Sequence, residues 1–595
     1  MTASDFGAEL FLGRLRTGLL TVVSGDPRRL GPEDEEFLAR LRDFCEQKVD
    51  GDRIEREDRI PDEVVEGLKD IGALSIRIPR AYGGLGLSGM CYFRALMIVT
   101  TAHSAIGELL AAHQAIGLPQ PITLFGTEEQ KRAFLPRCVR EISAFTLTEP
   151  DIGNDPFRMR TTAVPDPGSG TYRLNGVKLW ATNGVIADLL VVMAMVPASG
   201  AGPGGMTAFV VEADSPGVTV EHRSSFLGLR GLENGAIRLH DVVVPSGNRI
   251  GAEGAGLDIA LAAQDTSRLS LPAVCAAAAK WSLKIAREWA GVRVQWGRPI
   301  GEHDAVAGKL SFIASTAFAL EAMVEVTGRL AELGVADTRF DAELAKLYAS
   351  EQAWLVADEL VQLRGGRGYE TARSAAARGE RGVPAEQLLR DLRIGRIFDG
   401  STEALRTFIA TSVIENHRAE DRTSAEAGGT DRQEARGAAP EHLTGHRSFV
   451  EEAARELARS VGTYAEQPDA RLDDQQRQLG RIVDIGAELY AMTVTCAYAE
   501  ALTEHGESPA RLADAFCARS RLRVTELFGQ LEKNTDARDR AVARQVLDGG
   551  FGWLEDGVLD PSTDGPWIAE PKPGPATGRN LRRKIPAPRQ DGAHH

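Results

Sequence analysis

The chain has 595 residues, 43% of them hydrophobic, and a formal net charge of −15. That length exceeds one ordinary core and requires three or more domains. The acidic balance excludes a general nucleic-acid binder, which needs cations to neutralise phosphates. The N-terminal stretch MTASDFGAELFLGRLRTG is mixed and charged, without the apolar h-region of a secretory signal. The longest apolar run, 187–196, is broken by Asp188 and too short to cross a bilayer, so no stable membrane insertion is expected. Cys45, Cys91, Cys138, Cys275, Cys496 and Cys517 are scattered, with no C-x-x-C pair. This favours reduced thiols in the cytoplasm over a disulfide frame or a metal site.

Residues 1–30 read as a partly disordered lead-in. A helical N-terminal domain follows over 31–143, with apolar residues at three- and four-residue spacing in 34–49 and 61–71, a largely apolar helix at 98–118, and a capping-box start at 127–140. Gly84, Gly86 and Gly89 match G-x-G-x-x-G, but no strand precedes them, so they read as a turn. From Ala144 the period changes to alternation. Short β-rich runs at 144–148, 161–164, 171–174, 189–195, 207–211, 218–221 and 236–244 give a small sandwich or barrel over 144–250. Helices return over 251–418, at 257–289, 304–333, 341–363, 384–393 and 402–415, and suggest a four-helix-type bundle. Residues 419–445 are polar and Gly/Ala-rich, a linker. An extra helical domain spans 446–558, and the Pro/Gly-rich residues 559–595, with a basic cluster at 582–584, read as a disordered tail. The fold class is mainly α with a small β domain.

Within the bundle, RDLRIGRIFDGSTEALR (390–406) reads as helix, short break, helix. Asp399 lies at the break beside an apolar wall of Ile394, Ile397 and Phe398, followed by Gly400, Ser401 and Thr402. Two readings stay open: Asp399 caps the second helix, or it is a carboxylate tuned to act as a base.

Five segments in order carry a resemblance: AFTLTEPDIGND (144–155), YRLNGVKLWATNG (172–184), VRVQWGRPIG (292–301), LVQLRGGRGY (360–369) and the 390–406 stretch. Together they resemble the acyl-CoA dehydrogenase flavoprotein family. GAELYAMTVTCAYAEAL (486–502) and AAHQAIGLPQPITLFGT (111–127) extend the likeness to its very-long-chain type, which has an added C-terminal helical domain. The resemblance implies FAD and α,β-dehydrogenation of an acyl thioester carried on CoA or a carrier protein. Asp399 would be the α-proton base, with Gly400 beside it on the substrate, and flavin N5 the hydride acceptor. Phe145, Leu147 and Thr148 would back the flavin ring, with Trp180 against it and Thr182 near N5. Gly153, Asn154 and Ser401 would lie by the cofactor, although Asn154 stands where the family usually has Ser. Arg293, Gln295 and Trp296 would reach the flavin of a neighbouring subunit, as would Gln362, Gly365 and Gly366, so a homodimer is implied. Asp265, Ser267 and Arg268 would face the substrate, Arg268 as its anchor. Electrons would pass to an electron-transfer flavoprotein or to O2.

Several departures stand out. Asp399 replaces the family's catalytic Glu, which withdraws the carboxylate by roughly 1–1.5 Å, enough to cost on the order of a hundredfold in rate unless the loop compensates. Glu108 falls on the helix that walls the acyl pocket in the family. It would face away, recognise a polar group on the substrate, or act as a second acid/base. Residues 370–383 form a longer link carrying Arg373, Arg378 and Arg381, either a solvated loop or a rim that reads acidic groups. The polar 418–437 stretch has no apolar stripe for membrane docking. Two further readings keep the fold: a flavoenzyme of specialised metabolism using Asp399 or Glu108 for atypical desaturation or N-oxygenation, and a non-catalytic flavin-binding scaffold.

Overall fold

The computed structural model describes residues 5–18, 20, 28–199, 202–334, 338–424, 441–468 and 472–586. Helices α1 (Phe6–Phe11), α2 (Pro32–Lys48), α3 (Gly51–Glu57), α4 (Asp62–Asp70), α5 (Gly89–Ala102), α6 (Ser104–Ala111), α7 (Pro119–Phe125) and α8 (Glu128–Cys138) form the N-terminal part. Gly84 and Gly86 lie in the turn before α5, and Gly89 opens that helix. A Cβ on Gly84 would sit 2.1 Å from the Ile78 carbonyl oxygen.

The single helix expected over 98–118 is corrected. His103 is extended (φ −165, ψ 131) and its Nδ1 accepts from the Ala105 N–H at 3.2 Å, so α5 stops and α6 starts afresh. One π-helical turn, Ala112–Ile116, follows α6. Continuous apolar character hides such a break, because both helices bury nearly all round.

The β-domain holds β1 (Ser143–Thr146), β2 (Thr162–Asp166), β3 (Thr171–Ala181), β4 (Leu189–Val196), β5 (Gly205–Glu212), β6 (Val218–Arg223), β7 (Gly235–Pro245) and β8 (Arg249–Ile250). They form one sheet, ordered β6-β7-β3-β2-β4-β5-β8, with β1 parallel to β4. β4 reads as one apolar run because both faces are covered. Leu190, Val192 and Ala194 join the core inside the sheet, whereas Leu189, Val191 and Met193 pack on Leu118, Ile122 and Leu135 of the N-terminal helices.

The bundle consists of α9 (Gly256–Val292), α10 (Asp304–Leu333), α11 (Arg339–Arg364), α12 (Gly366–Tyr369), α13 (Ala372–Ala377), α14 (Ala385–Leu392) and α15 (Thr402–Ser424). Between α9 and α10 a two-residue hairpin pairs β9 (Val294–Gln295) with β10 (Arg298–Pro299). α10 is long and apolar enough to span a bilayer, but 72% of its apolar window is buried inside the fold. Of the expected linker, 425–440 lie outside the described residues. Beyond it come α16 (Glu441–Ala465), α17 (Gln476–Ala501), α18 (Ser508–Glu532) and α19 (Asp536–Leu547). This extension is continuous with the bundle core, and the Arg519 guanidinium donates to the hydroxyls of Ser315 and Thr316 on α10.

Both expected disordered ends need correction. In the lead-in, Phe6 and Phe11 of α1 are buried, Phe6 tilted against Tyr490 with ring centroids 6.1 Å apart and Phe11 edge-on to Phe340 at 5.6 Å. In the tail, 559–586 carry no helix or strand yet are held on the β-domain. The Leu581 N–H donates to the Val220 carbonyl at 2.8 Å, and Asn580 Oδ1 accepts from the Val220 N–H at 3.1 Å, so the tail covers edge strand β6. Arg583 pairs with Glu233 at 2.5 Å and with Asp62, which ties the N-terminal helices to the sheet. Residues 587–595 lie outside the described residues.

Candidate active site

The break between Arg396 and α15 places Asp399 in an unusual backbone. Asp399 has φ +51 and Gly400 φ +84, two successive positive-φ residues, a region open to glycine and visited by aspartate more readily than by most side-chain-bearing residues. The loop is held from both sides. Lys346, fully buried on α11, donates to the Phe398 carbonyl at 3.0 Å and the Gly400 carbonyl at 2.6 Å, gripping the loop on both sides of Asp399. Burial pushes the Lys346 ammonium down to about 8, against the attraction of Asp399.

The capping reading of Asp399 is settled by Ser401. Its Oγ accepts from the Ala404 N–H at 3.3 Å, so Ser401 caps α15. Thr402 donates to Glu351 Oε1 at 2.6 Å, and Arg396 holds the same carboxylate at 2.8 Å. Asp399 instead accepts on Oδ2 from the Ser267 hydroxyl of α9 at 2.6 Å. Among the described residues its Oδ1 has no partner, and the backbone N–H groups of Asp399, Gly400 and Ser401 have none either.

Asp399, Gly400 and Ser401 line a cavity of about 940 Å³ with Glu108, Phe145, Leu147, Thr148, Gly153, Asn154, Trp180, Thr182 and Ser267. That volume suits a ligand of cofactor size. The β-domain supplies the wall. After Thr146 the chain leaves β1, so Leu147 and Thr148 project past the sheet, and the Leu179 N–H donates to the Thr148 carbonyl at 2.9 Å. Trp180, at the end of β3 with φ +55, is 57% exposed. Asn234 Nδ2 donates to the Trp180 carbonyl at 3.0 Å and to Thr182 Oγ1 at 3.1 Å, fixing both residues. Asn154 Nδ2 donates to Ser401 Oγ at 3.3 Å, joining the two sides of the cavity. An exposed indole beside an apolar backing and glycine at 153, where an added Cβ would meet nothing within 4 Å, fits a flat aromatic ring with a polar tail. These residues therefore suit FAD.

Other expected residues lie elsewhere. Arg268, expected as the substrate anchor, has a buried guanidinium paired with Glu343 at 2.6 Å and donating to Gln264 at 3.2 Å. It fixes α9 to α11 one residue from Ser267. Asp265 lies on α9, but its side chain is outside the described residues. Arg293, Gln295 and Trp296, with Gln362, Gly365 and Gly366, line no part of this cavity. Trp296 is 89% exposed at the α9–α10 hairpin. The arginines of 370–383 are largely spent on local acids: Arg378 on Glu370 and Glu380, Arg381 on Glu288 at 2.6 Å.

Three supports escaped the sequence reading. Lys346 and Asn234 sit far along the chain from the groups they hold. The third is a buried ion pair, Lys178 to Glu149 at 2.8 Å, with Lys178 also donating to the Leu147 carbonyl at 3.2 Å. Both of its members lie inside the quoted motif segments, so one acid and one base in those two segments were the available signal.

Family models for the acyl-CoA dehydrogenase N-terminal, middle and C-terminal domains match residues 31–141, 144–242 and 254–414. A probable acyl-CoA dehydrogenase of Mycobacterium tuberculosis, FadE10, is 51% identical over 98% of this chain and 94% of its own. The chain belongs to the acyl-CoA dehydrogenase family. The human mitochondrial very long-chain specific acyl-CoA dehydrogenase is 31% identical over 89% of this chain and 85% of that protein. A crystal structure of a Bacillus anthracis acyl-CoA dehydrogenase complexed with FAD superposes with a TM-score of 0.75, covering 94% and 97% of the two chains at 23% identity, a likeness of fold. As a member of this FAD-using family, the chain is a flavoprotein oxidoreductase acting on a CH–CH bond of acyl-CoA.

Proposed function

We propose that the chain removes the α-proton of an acyl thioester with Asp399 and passes the β-hydride to FAD, leaving an α,β double bond. The observation that carries this is the division of labour at the loop: Ser401 caps the helix, and Asp399, held on Oδ2 by Ser267, offers Oδ1 to the cavity. The α C–H bond breaks toward Oδ1, while the Ser267 hydrogen bond keeps the carboxylate from rotating. The unpartnered N–H groups of residues 399–401, at the positive end of α15, suit the negative charge that develops on the thioester oxygen. Phe145, Leu147, Thr148, Trp180 and Thr182 would hold the flavin ring, and Gly153 and Asn154 its polar tail. Bound there, FAD supplies the two-electron acceptor for hydride leaving the β-carbon. We further propose a cytoplasmic homodimer that delivers electrons to an electron-transfer flavoprotein.

Anaerobic mixing with acyl-CoA tests the reading. The wild-type protein bleaches its oxidised flavin band. Asp399→Asn keeps FAD but bleaches about a thousandfold more slowly, the scale of a lost general base. Bleaching by Asp399→Asn at the wild-type rate would reject Asp399 as the base.

A further inference from the structure

Glu108, on α6, lines the cavity together with Asp399 and Asp391, and the reaction above does not use it. The break at His103 starts α6 in a new direction, and Glu108 comes to line the cavity with Ala112, Ile116, Phe145 and Leu147. Among the described residues no hydrogen bond or ion pair reaches its carboxyl. The Tyr92 hydroxyl, which feels the Glu108 charge, is engaged with Ser270 at 3.2 Å. Burial, with a smaller contribution from the Asp399 charge, pushes the Glu108 carboxyl up to about 8. Near neutral pH it is a neutral acid with an O–H to donate and no acceptor among the described residues.

An acyl chain made only of CH2 groups would press against this donor and leave it unpaired. We propose that Glu108 recognises an oxygen substituent, a hydroxyl or oxo group, carried on the acyl chain beyond the α- and β-carbons. The inference rests on the acyl thioester reading above. The substituent lies beyond those two carbons because they must face Asp399 and Trp180 and keep the hydrogens that leave. An oxygen is favoured over an ammonium group, because an ammonium would require a buried ion pair desolvated beside hydrocarbon walls.

The test uses the FAD-loaded enzyme and pairs of CoA esters of equal length, plain or carrying one hydroxyl at successive positions from C4 onward. Flavin bleaching gives kcat/KM, and calorimetry gives the affinity for the matching 2-enoyl-CoA products without turnover. At one position the hydroxyl raises both by about tenfold or more, the scale of one satisfied buried donor. Glu108→Leu abolishes the preference and improves the plain chain. Glu108→Gln, which keeps a donor of similar shape, retains most of it. FAD content and Tm report whether each variant folds, and the wild-type position series decides even where the leucine variant does not. Equal handling of plain and hydroxylated chains at every position overturns the inference and leaves the dehydrogenase reading standing, as does a preference that survives Glu108→Leu or one for an amino-bearing chain. Bleaching by no thioester overturns both.

Discussion

Asp399 shows how a short carboxylate on a loop can be held in place. Its left-handed backbone, the Ser267 hydroxyl 2.6 Å from Oδ2, and the Lys346 grip on the carbonyls either side define one position for the group. Glu108 offers a residue-scale measurement of the same cavity. Its carboxyl rests near the ordinary carboxylate range in the unfolded chain and at about 8 in the folded one. Between those values the native state binds the extra proton, so stability falls as pH rises through that window and levels off above about 8. Glu108→Gln carries no such proton. The expected result is a Tm advantage of Glu108→Gln over wild type that is small near pH 5, widens up to about pH 8 and is constant above it. Thermal unfolding across this range checks it, and a gap independent of pH would refute the buried-acid account.

At the scale of elements, the loop that carries Asp399 depends on α9 and α11 holding a fixed separation. Arg268 to Glu343 ties the two helices beside Ser267, and Lys346 reaches from α11 to the loop. Lys346→Met removes the grip while keeping most of the side chain's volume. It leaves two carbonyls without their donor, a loss of roughly 2–4 kcal/mol of stability. The loop is then free to shift by the ångström that matters, so kcat falls at least about tenfold while KM moves little. Stopped-flow reduction of the flavin and denaturant melts measure the two effects, and an unchanged kcat would show that the loop needs no clamp. The bundle helices were readable from the sequence because their apolar stripes are long and sustained. Lys346 was not, because one lysine in a helix has no local mark of burial. The α5–α6 break was lost for the converse reason: an extended residue inside continuous apolar sequence leaves the periodicity unbroken, and only the His103 ring, turned back on the Ala105 N–H, reveals it.

At the scale of the molecule, the motif residues divide in two. Those of the β-domain, α9 and the catalytic loop meet around one cavity. The set at Arg293, Gln295, Trp296, Gln362, Gly365 and Gly366 lies outside it on the same chain. The order of motifs made the family legible, and this division was expected only through the resemblance, because sequence order by itself carries no information about which copy of a site a residue completes. The ends of the chain were misread for a related reason: α1 and the tail lack the length or composition to fold alone, and each is ordered by partners hundreds of residues away, Tyr490 for Phe6 and Val220 for Leu581. Trp296 turns the division into a measurement. A ring 89% exposed, carried on a tight hairpin with φ +48, is poorly placed for a monomer's surface and well placed to cover a cofactor bound mainly by a second copy. Trp296→Glu puts a charge on that contact without disturbing the chain's own core. The expected outcome is a species of half the wild-type mass in sedimentation, with FAD lost on dilution and the helical circular dichroism unchanged. A Trp296→Glu protein that keeps both the wild-type mass and its flavin would place the second set of motif residues on an ordinary surface, and the homodimer proposal would fall with it.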